Sequence, residues 1–258
     1  MMLPLIVRFA YNGIDVSSAN GEIDFSKVKQ DGFDFVYVQS SRYSSTKDSG
    51  YQQKVDAARA AGLVVGAYHF CSHDSSPVAQ AEFFYHASNG LGNKLGELPP
   101  MIDWEFCTPS KYKDHPRHCV DFLETFSSTC KDLWYGPDSS RLPVVYTYPS
   151  YGSSHQPALS ERTSLGEYPL CYASYKSEPS SDGYRLVGWV PILGTGPIHQ
   201  IQRPWTTWKL WQYSGDNGLP VSGCTGSVDR QLFNGSSGDW KDFLGLERPV
   251  DSIVKDDL

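Results

Sequence analysis

Two hydrophobic periods alternate along the first half of the chain. Residues 33–39 (FDFVYVQ) set Phe33, Phe35 and Tyr37 two apart, the spacing of a strand with one face in a core. Residues 63–70 (LVVGAYHF) form a nearly continuous apolar run, as in a strand covered on both faces. Between them, residues 51–61 (YQQKVDAARAA) carry a helical pattern that Gly62 stops. Further strands are predicted at 13–16 (GIDV), 100–105 (PMIDWE) and 143–148 (PVVYTY). Helices are predicted at 25–30, at 77–88 with Pro77 in the first turn, and at 118–134. In the last of these, Val120, Leu123, Phe126, Cys130 and Leu133 recur at helical spacing. Strands and helices in this alternation imply parallel pairing through crossover helices.

In the second half, proline, glycine and serine become frequent and helical periodicity fades. Strands are predicted at 170–175 (LCYASY), 209–213 (KLWQY) and 228–233 (VDRQLF), with a turn-rich stretch at 215–228. No internal repeat or inter-domain linker is found. The tail after Trp240 is short and partly charged, and is expected on the surface. The expected fold is α/β: an irregular, TIM-barrel-like (β/α) barrel with few helices in its second half. It is expected to form one catalytic domain over residues 1–258, with a core at 11–240 and a tail at 241–258. A chain of 258 residues is long enough for a full core and within the range of single-domain barrels.

Composition narrows the function classes. With 40% hydrophobic and 20% charged residues, the chain has a globular profile. Its net charge of -7 and the lack of a basic patch argue against a nucleic-acid partner. No apolar stretch reaches the roughly 20 residues of a membrane span, so no membrane insertion is expected. Residues 1–10 (MMLPLIVRFA) lack a basic n-region and are not read as a signal peptide. Aromatic residues make up 14%, with 16 Tyr and 7 Trp, which suits either core filling or stacking on sugars. Six cysteines (Cys71, Cys107, Cys119, Cys130, Cys171, Cys224) show neither CxxC nor zinc-finger spacing. Cys119 and Cys130 fall on one predicted helix, about 16 Å apart, too far for a disulfide. Most of the six read as buried thiols, with one or two disulfides left open.

The sharpest chemical feature is Asp103-Trp104-Glu105. On a strand, residues two apart share a face with Cα atoms about 6 to 7 Å apart. Two carboxylates that close cannot both ionise easily, so one pKa should rise, as glycosidases require. Set against this, the motif alone is also just an exposed Asp-x-Glu at a strand end. Asp15 ends the first predicted strand, where it is either a further site carboxylate or a turn cap. Tyr68-His69-Phe70 ends another strand, with Cys71, His73 and Asp74 following. Their spacing matches no metal-ligand pattern; Tyr68 reads as a groove residue and His69 as a core or hydrogen-bonding one, with no metal or cofactor expected. Trp211-Gln212-Tyr213 and Asp229 complete the set, the aromatics being sugar platforms or core, and Asp229 a site carboxylate or a turn residue. GxSxG, Walker, Rossmann and HExxH patterns do not occur.

These fragments, in this order, resemble the glycoside hydrolase family 25 lysozymes, the Chalaropsis-type N-acetylmuramidases. The resemblance is carried by Gly13-Ile14-Asp15-Val16-Ser17, Asn20-Gly21, Ile23-Asp24-Phe25, residues 33–38, Ala60-Ala61-Gly62-Leu63 and Gly66-Ala67-Tyr68-His69-Phe70. It continues through Gln80-Ala81, Asp103-Trp104-Glu105, Val145-Tyr146-Thr147, Ala173-Ser174-Tyr175, Leu210-Trp211-Gln212-Tyr213 and Val228-Asp229. It implies a flattened (β/α) barrel and cleavage of the β-1,4 bond between N-acetylmuramic acid and N-acetylglucosamine in bacterial peptidoglycan. Glu105 would be the general acid, with Asp103 assisting through the substrate acetamido group. Asp15 and Asp229 match the other two site carboxylates, and Tyr68, Tyr146, Tyr175 and Trp211 would line the groove. A monomer is expected, of the bacteriophage endolysin or virion-associated kind: made in the cytoplasm and acting on the cell wall, otherwise extracellular. The competing readings are a non-catalytic wall-binding or virion structural protein on the same barrel, and a hydrolase of another N-acetylated glycan such as chitin.

The chain departs from the family pattern in three places. Gln39-Ser40-Ser41 replaces a Lys-Ala-Thr-type stretch, which puts the groove near Arg42-Tyr43 in question. Cys171 stands where a Trp is common. Residues 177–208 form a long, unusual segment expected to loop beside the groove.

Overall fold

The computed structural model describes residues 11–105, 115–175, 197, 199–215 and 220–246. Nine strands occur among them: β1 (Asn12–Val16), β2 (Phe35–Arg42), β3 (Thr46–Lys47), β4 (Val64–Phe70), β5 (Met101–Asp103), β6 (Val144–Thr147), β7 (Leu170–Ala173), β8 (Leu210–Ser214) and β9 (Asp229–Phe233). They form one sheet in the order β1-β9-β8-β7-β6-β5-β4-β2-β3, and β1 also pairs with β2. That last pairing closes eight strands into a barrel, with β3 as a hairpin appendage on β2. Strands β1 to β8 of the barrel pair in parallel, whereas β9 is antiparallel to both neighbours. Among its described residues the turn-rich link from β8 to β9 has no crossover helix, in keeping with a return in the opposite direction.

The helices are α1 (Phe25–Gln30), α2 (Tyr51–Ala60), α3 (Pro77–Ala87), α4 (Pro116–Tyr135), α5 (Pro149–Ser154) and α6 (Ser237–Phe243). Several starts follow capping chemistry. Asp24 accepts from the Lys27 amide at α1, and Ser76 accepts from Ala79 ahead of Pro77 at α3. Helices α1 to α4 cover the outer faces of the early strands. Val36, Val38, Val65, Ala67, Ile102 and Val145 pack there with Val55, Ala81, Phe84, Val120, Leu123 and Phe126. Among the described residues, only α5 and a 3-10 turn at Thr163–Glu167 separate the strands after β6, so the described second half is helix-poor as expected.

Inside the barrel the alternating residues stack in layers. Phe35, Val144, Leu210 and Phe233 lie low, with Tyr37, Met101 and Cys171 above them. Two glycines make room for these rings. A Cβ on Gly13 would fall 2.1 Å from the Phe35 ring, and one on Gly66 would fall 2.7 Å from Tyr37. The barrel floor corrects the expectation of a surface tail. Trp240, Phe243 and Leu244 are buried against Phe35 and Phe233, so α6 plugs the N-terminal end of the parallel strands. The charged residues of this stretch are the outer face of an amphipathic turn, which hid its buried face. Residues 247–258 lie outside the described residues.

Cys71, Cys130, Cys171 and Cys224 are free, and Cys119 is disulfide-bonded. Cys119 and Cys130 are therefore not joined to each other, as their helical spacing required. Of the 177–208 segment, residues 197 and 199–208 are described. This part packs back on β7 rather than standing free. The Tyr172 hydroxyl donates to the Gln200 carbonyl at 2.9 Å, and the Trp205 indole to the Tyr168 carbonyl at 3.1 Å.

Candidate active site

The C-terminal ends of the parallel strands surround a cavity of about 260 Å³. Its lining includes Asp15 from β1, Tyr68 from β4, Asp103 from β5, Tyr146 from β6, Gln212 from β8 and Asp229 from β9, together with Glu105. The strand register explains the convergence. Asp15 is the Cα partner of Asp229, and Asp103 is the partner of both Phe70 and Tyr146. Four carboxylates thus meet at one barrel end.

An amide hub joins two of them. Gln212 Nε2 donates to Asp15 at 3.0 Å and to Asp229 at 3.3 Å, while Gln231 Nε2 donates to Asp15 at 2.6 Å. On its other side, Gln212 Oε1 accepts from the Tyr146 hydroxyl at 2.9 Å and from the Tyr175 hydroxyl. Burial raises the Asp15 pKa above the ordinary carboxyl value, and these amide donors and a bond to Asp229 pull it back.

Asp103 differs from Asp15. Burial pushes its pKa well up, and the charges of Glu105, Asp15 and Asp229 add to the rise. Its Oδ1 is buried with no hydrogen-bond partner among the described residues. A buried acceptor without a donor costs about 1–3 kcal/mol, which a ligand N–H would recover. Strand β5 ends at Asp103, two residues earlier than the sequence pattern implies, yet Glu105 still faces the cavity. The intervening Trp104 faces away and is fully buried. Its indole donates to His73 Nε2 at 3.1 Å, and its ring meets Tyr151 edge-on, so the carboxylate pair hangs from an anchored residue. The Tyr148 hydroxyl donates to the Glu105 carbonyl at 3.3 Å.

The histidine beside Tyr68 has a structural place. His69 is fully buried between Phe84 and Phe126, on the outer side of β4. Ser41 and Gln80 occupy its two ring nitrogens. Gln80 Oε1 already accepts from the Ser72 amide, so it accepts from His69 Nε2 too, and Nδ1 accepts from Ser41. Burial lowers the His69 pKa to about 4 and keeps the ring neutral.

Of the groove aromatics expected from the sequence, Tyr68 and Tyr146 line the cavity. Tyr175 stands at its edge, 42% exposed and tied to Gln212. Trp211 lies on the opposite face of β8, buried with Leu232 and donating to the Ser174 carbonyl at 2.9 Å. Strand alternation is the reason: Leu210 and Gln212 point inward, so Trp211 points out.

The chain matches the family model of glycosyl hydrolases family 25 over residues 14–221. It belongs to that family. It is 28% identical over 229 residues to Lysozyme M1 of Streptomyces globisporus, covering 87% of this chain and 68% of the relative. It is 26% identical over 207 residues to the N,O-diacetylmuramidase of Arthroderma benhamiae, covering 80% of each. The crystal structure of the bacterial lysozyme from Streptomyces coelicolor superposes with a TM-score of 0.70 at 27% identity, covering 92% of this chain and 96% of that one. The protein is a glycoside hydrolase on the family 25 barrel. Asp229 lies beyond the matched residues and reaches the site because β9 pairs with β1.

Sequence reasoning passed over several residues of this family 25 site. Gln212 was hidden between two aromatics, and only the period of β8 marks it as the inward residue. Gln39 and Phe70 also line the cavity, as do Arg42 and Tyr43, where the departure at Gln39-Ser40-Ser41 puts the groove in question. Arg42 gets there through a bulge that no sequence pattern announces.

Proposed function

We propose that this family 25 hydrolase cleaves the β-1,4 bond between N-acetylmuramic acid and N-acetylglucosamine in bacterial peptidoglycan, with Glu105 as general acid and Asp103 orienting the substrate acetamido group. The observation that carries the reading is the buried, partnerless Asp103 Oδ1 beside Glu105 in a carboxylate-lined cavity. An acetamido N–H on the sugar is the donor that this oxygen lacks. That bond favours ionised Asp103, so the proton retained by the pair moves to Glu105, which has to deliver it.

In the step that follows, the acetamido oxygen attacks the anomeric carbon as the glycosidic C–O bond breaks. Glu105 gives its proton to the departing oxygen, and Asp103 holds the amide N–H as positive charge develops on the ring formed. Water then opens that ring, and Glu105 takes back a proton. Two displacements at one carbon retain its configuration, so the first product is the β-anomer. Tyr68, Tyr146 and Tyr175 present rings and hydroxyls to the bound sugars. Asp15 and Asp229, both bonded by the Gln212 amide, form the far wall of the cavity.

Digestion of purified peptidoglycan, followed by borohydride reduction of the new ends, tests the bond assignment. Muramitol is the expected product. Glucosaminitol would refute the muramidase reading, and intact peptidoglycan with cleaved chitin would move the activity to a neutral glycan.

A further inference from the structure

Among the described residues, the cavity lining contains a single cation, Arg42, beside its four carboxylates. Its position is built rather than incidental. Along β2, Phe35 and Tyr37 point into the barrel, and simple alternation would turn residue 42 outward. A bulge between Gln39 and Ser41 changes the phase, pairing Ser41 with His69 and Arg42 with Phe70. Ser41 then bonds outward to His69, while Arg42 comes round to the cavity side with Phe70. The short strand β3 pairs Thr46 with Arg42 and fixes its backbone from the other edge.

Tyr43 continues the feature. It holds a left-handed backbone (φ 55), uncommon for a residue with a side chain. Its amide donates to the Phe70 carbonyl at 2.9 Å, and its ring meets Phe70 edge-on at 5.9 Å. The ring stays 39% exposed at the cavity wall. Among the described residues no carboxylate forms an ion pair with Arg42, whose guanidinium carbon lies 5.9 Å from the Tyr43 ring centroid. The burial and carboxylate charges that shift Asp103 do not involve it. A guanidinium held in a net-negative protein without an internal counter-ion is suited to an incoming anion.

We propose that Arg42 and Tyr43 form a specificity subsite that reads a carboxylate on the glycan, Arg42 pairing with the charge and Tyr43 lying against the sugar that bears it. The inference rests on the muramidase reading. In that substrate the lactyl ether, or the peptide attached to it, is what separates one sugar of the repeat from the other. Both sources offer a carboxylate, and a planar guanidinium binds one through two parallel N–H bonds.

The test uses the full chain and its R42Q and R42K variants on soluble wall oligosaccharides in three forms. One has a free lactyl carboxylate, the second has that group methyl-esterified, and the third carries the stem peptide. The wild type is expected to prefer one anionic form over the ester by about tenfold in KM, the scale of one charge-assisted contact. R42Q should lose that preference, with the loss on KM rather than kcat, and R42K should restore part of it. Preference for the free acid identifies the lactyl group as the source, and preference for only the peptide-bearing form identifies the peptide. An R42Q variant that keeps the wild-type ratio of anionic to ester KM overturns the subsite, as does a loss confined to kcat. Should the wild type open none of the three glycans, the muramidase reading fails and the subsite with it.

Discussion

Asp15 stands directly opposite Asp229 across the antiparallel β1–β9 pair, and the single side-chain amide of Gln212 donates to an oxygen of each. Like charges in facing positions repel, so an undivided pair of carboxylates would weaken the seam that closes the barrel. The amide donors relieve that repulsion. The same amide's oxygen collects the Tyr146 and Tyr175 hydroxyls, so barrel closure and groove geometry depend on one side chain.

A Gln212→Leu variant tests that dependence. It preserves approximate volume but deprives two tyrosine hydroxyls of their acceptor and two carboxylates of a donor. Stability should fall by about 2–3 kcal/mol, the cost of unsatisfied buried polar groups. Activity should fall at least about tenfold, because the groove tyrosines lose their anchor. Loss of a donor should also raise the Asp15 pKa further and move the pH–rate profile toward alkali. Chemical denaturation and a pH series of kcat/KM measure both, and an unmoved profile would show that the hub is only structural.

The division of roles between the paired carboxyls predicts two different variants. Glu105→Gln should lower kcat by at least about 10² to 10⁴, the usual contribution of a general acid, while the circular dichroism spectrum stays native. Asp103→Asn should be severely impaired as well, because its amide offers the sugar N–H a weaker acceptor. Azide tests the position of the proton donor. A substrate with a good leaving group needs no acid, so it should recover Glu105→Gln far more than Asp103→Asn. Equal recovery of both would overturn the assignment.

Buried titrating groups also set opposing pH trends in stability. Asp103 holds its proton more tightly folded than unfolded, so the stability it confers is complete at acid pH and is lost as pH rises above 3.8. Asp15 acts in the same direction. His69 acts in the other: its pKa drops from 6.5 to about 4 on folding, so its stability is present above 6.5 and lost as pH falls toward 4. The His69 effect is on the order of 3 kcal/mol. Thermal unfolding should therefore show Asp103→Asn above wild type in Tm at pH 7, with the gap closing toward pH 4. His69→Gln should flatten the acid limb instead. A constant gap across the range would mean that Asp103 titrates normally in the fold.

The residues that made this architecture legible in the sequence are those whose period reports their environment. Strand β4 is apolar on both faces because helices cover one and the barrel interior the other, and the chain shows it as an unbroken run. Asp103 and Glu105 were legible because a two-residue spacing survives a strand end. What stayed hidden depends on contacts far apart in sequence. The bulge at Ser40 reverses the phase of β2 without any glycine or proline to mark it, so Arg42 reads as an outward residue. Trp211 looks like a sugar platform by type, whereas its register turns it outward, and the unremarkable Gln212 takes the inward place. The antiparallel direction of β9 is in keeping with the lack of a crossover helix among the described residues before it, a feature of the turn-rich stretch rather than of the strand.

The floor helix gives a prediction in which stability and activity should separate. Trp240 stacks on Tyr11 with ring centroids 4.4 Å apart and meets Phe233 edge-on at 4.9 Å. It also contacts Phe35, whose ring fills the space left by Gly13 at the start of β1. Ser236 and Asp239 cap the helix reciprocally, so α6 is held in place at its N-terminus as well. All of this lies at the opposite barrel end from the carboxylates. Trp240→Ala should cost about 3–5 kcal/mol through lost burial and the cavity left behind. At a temperature well below the lowered Tm, the folded fraction should retain near wild-type kcat and KM, because neither Asp103 nor Glu105 touches the plug. A matched loss in kcat without a loss of folded protein would show instead that the floor layer transmits its packing, through Phe35 and Tyr37, to the catalytic end.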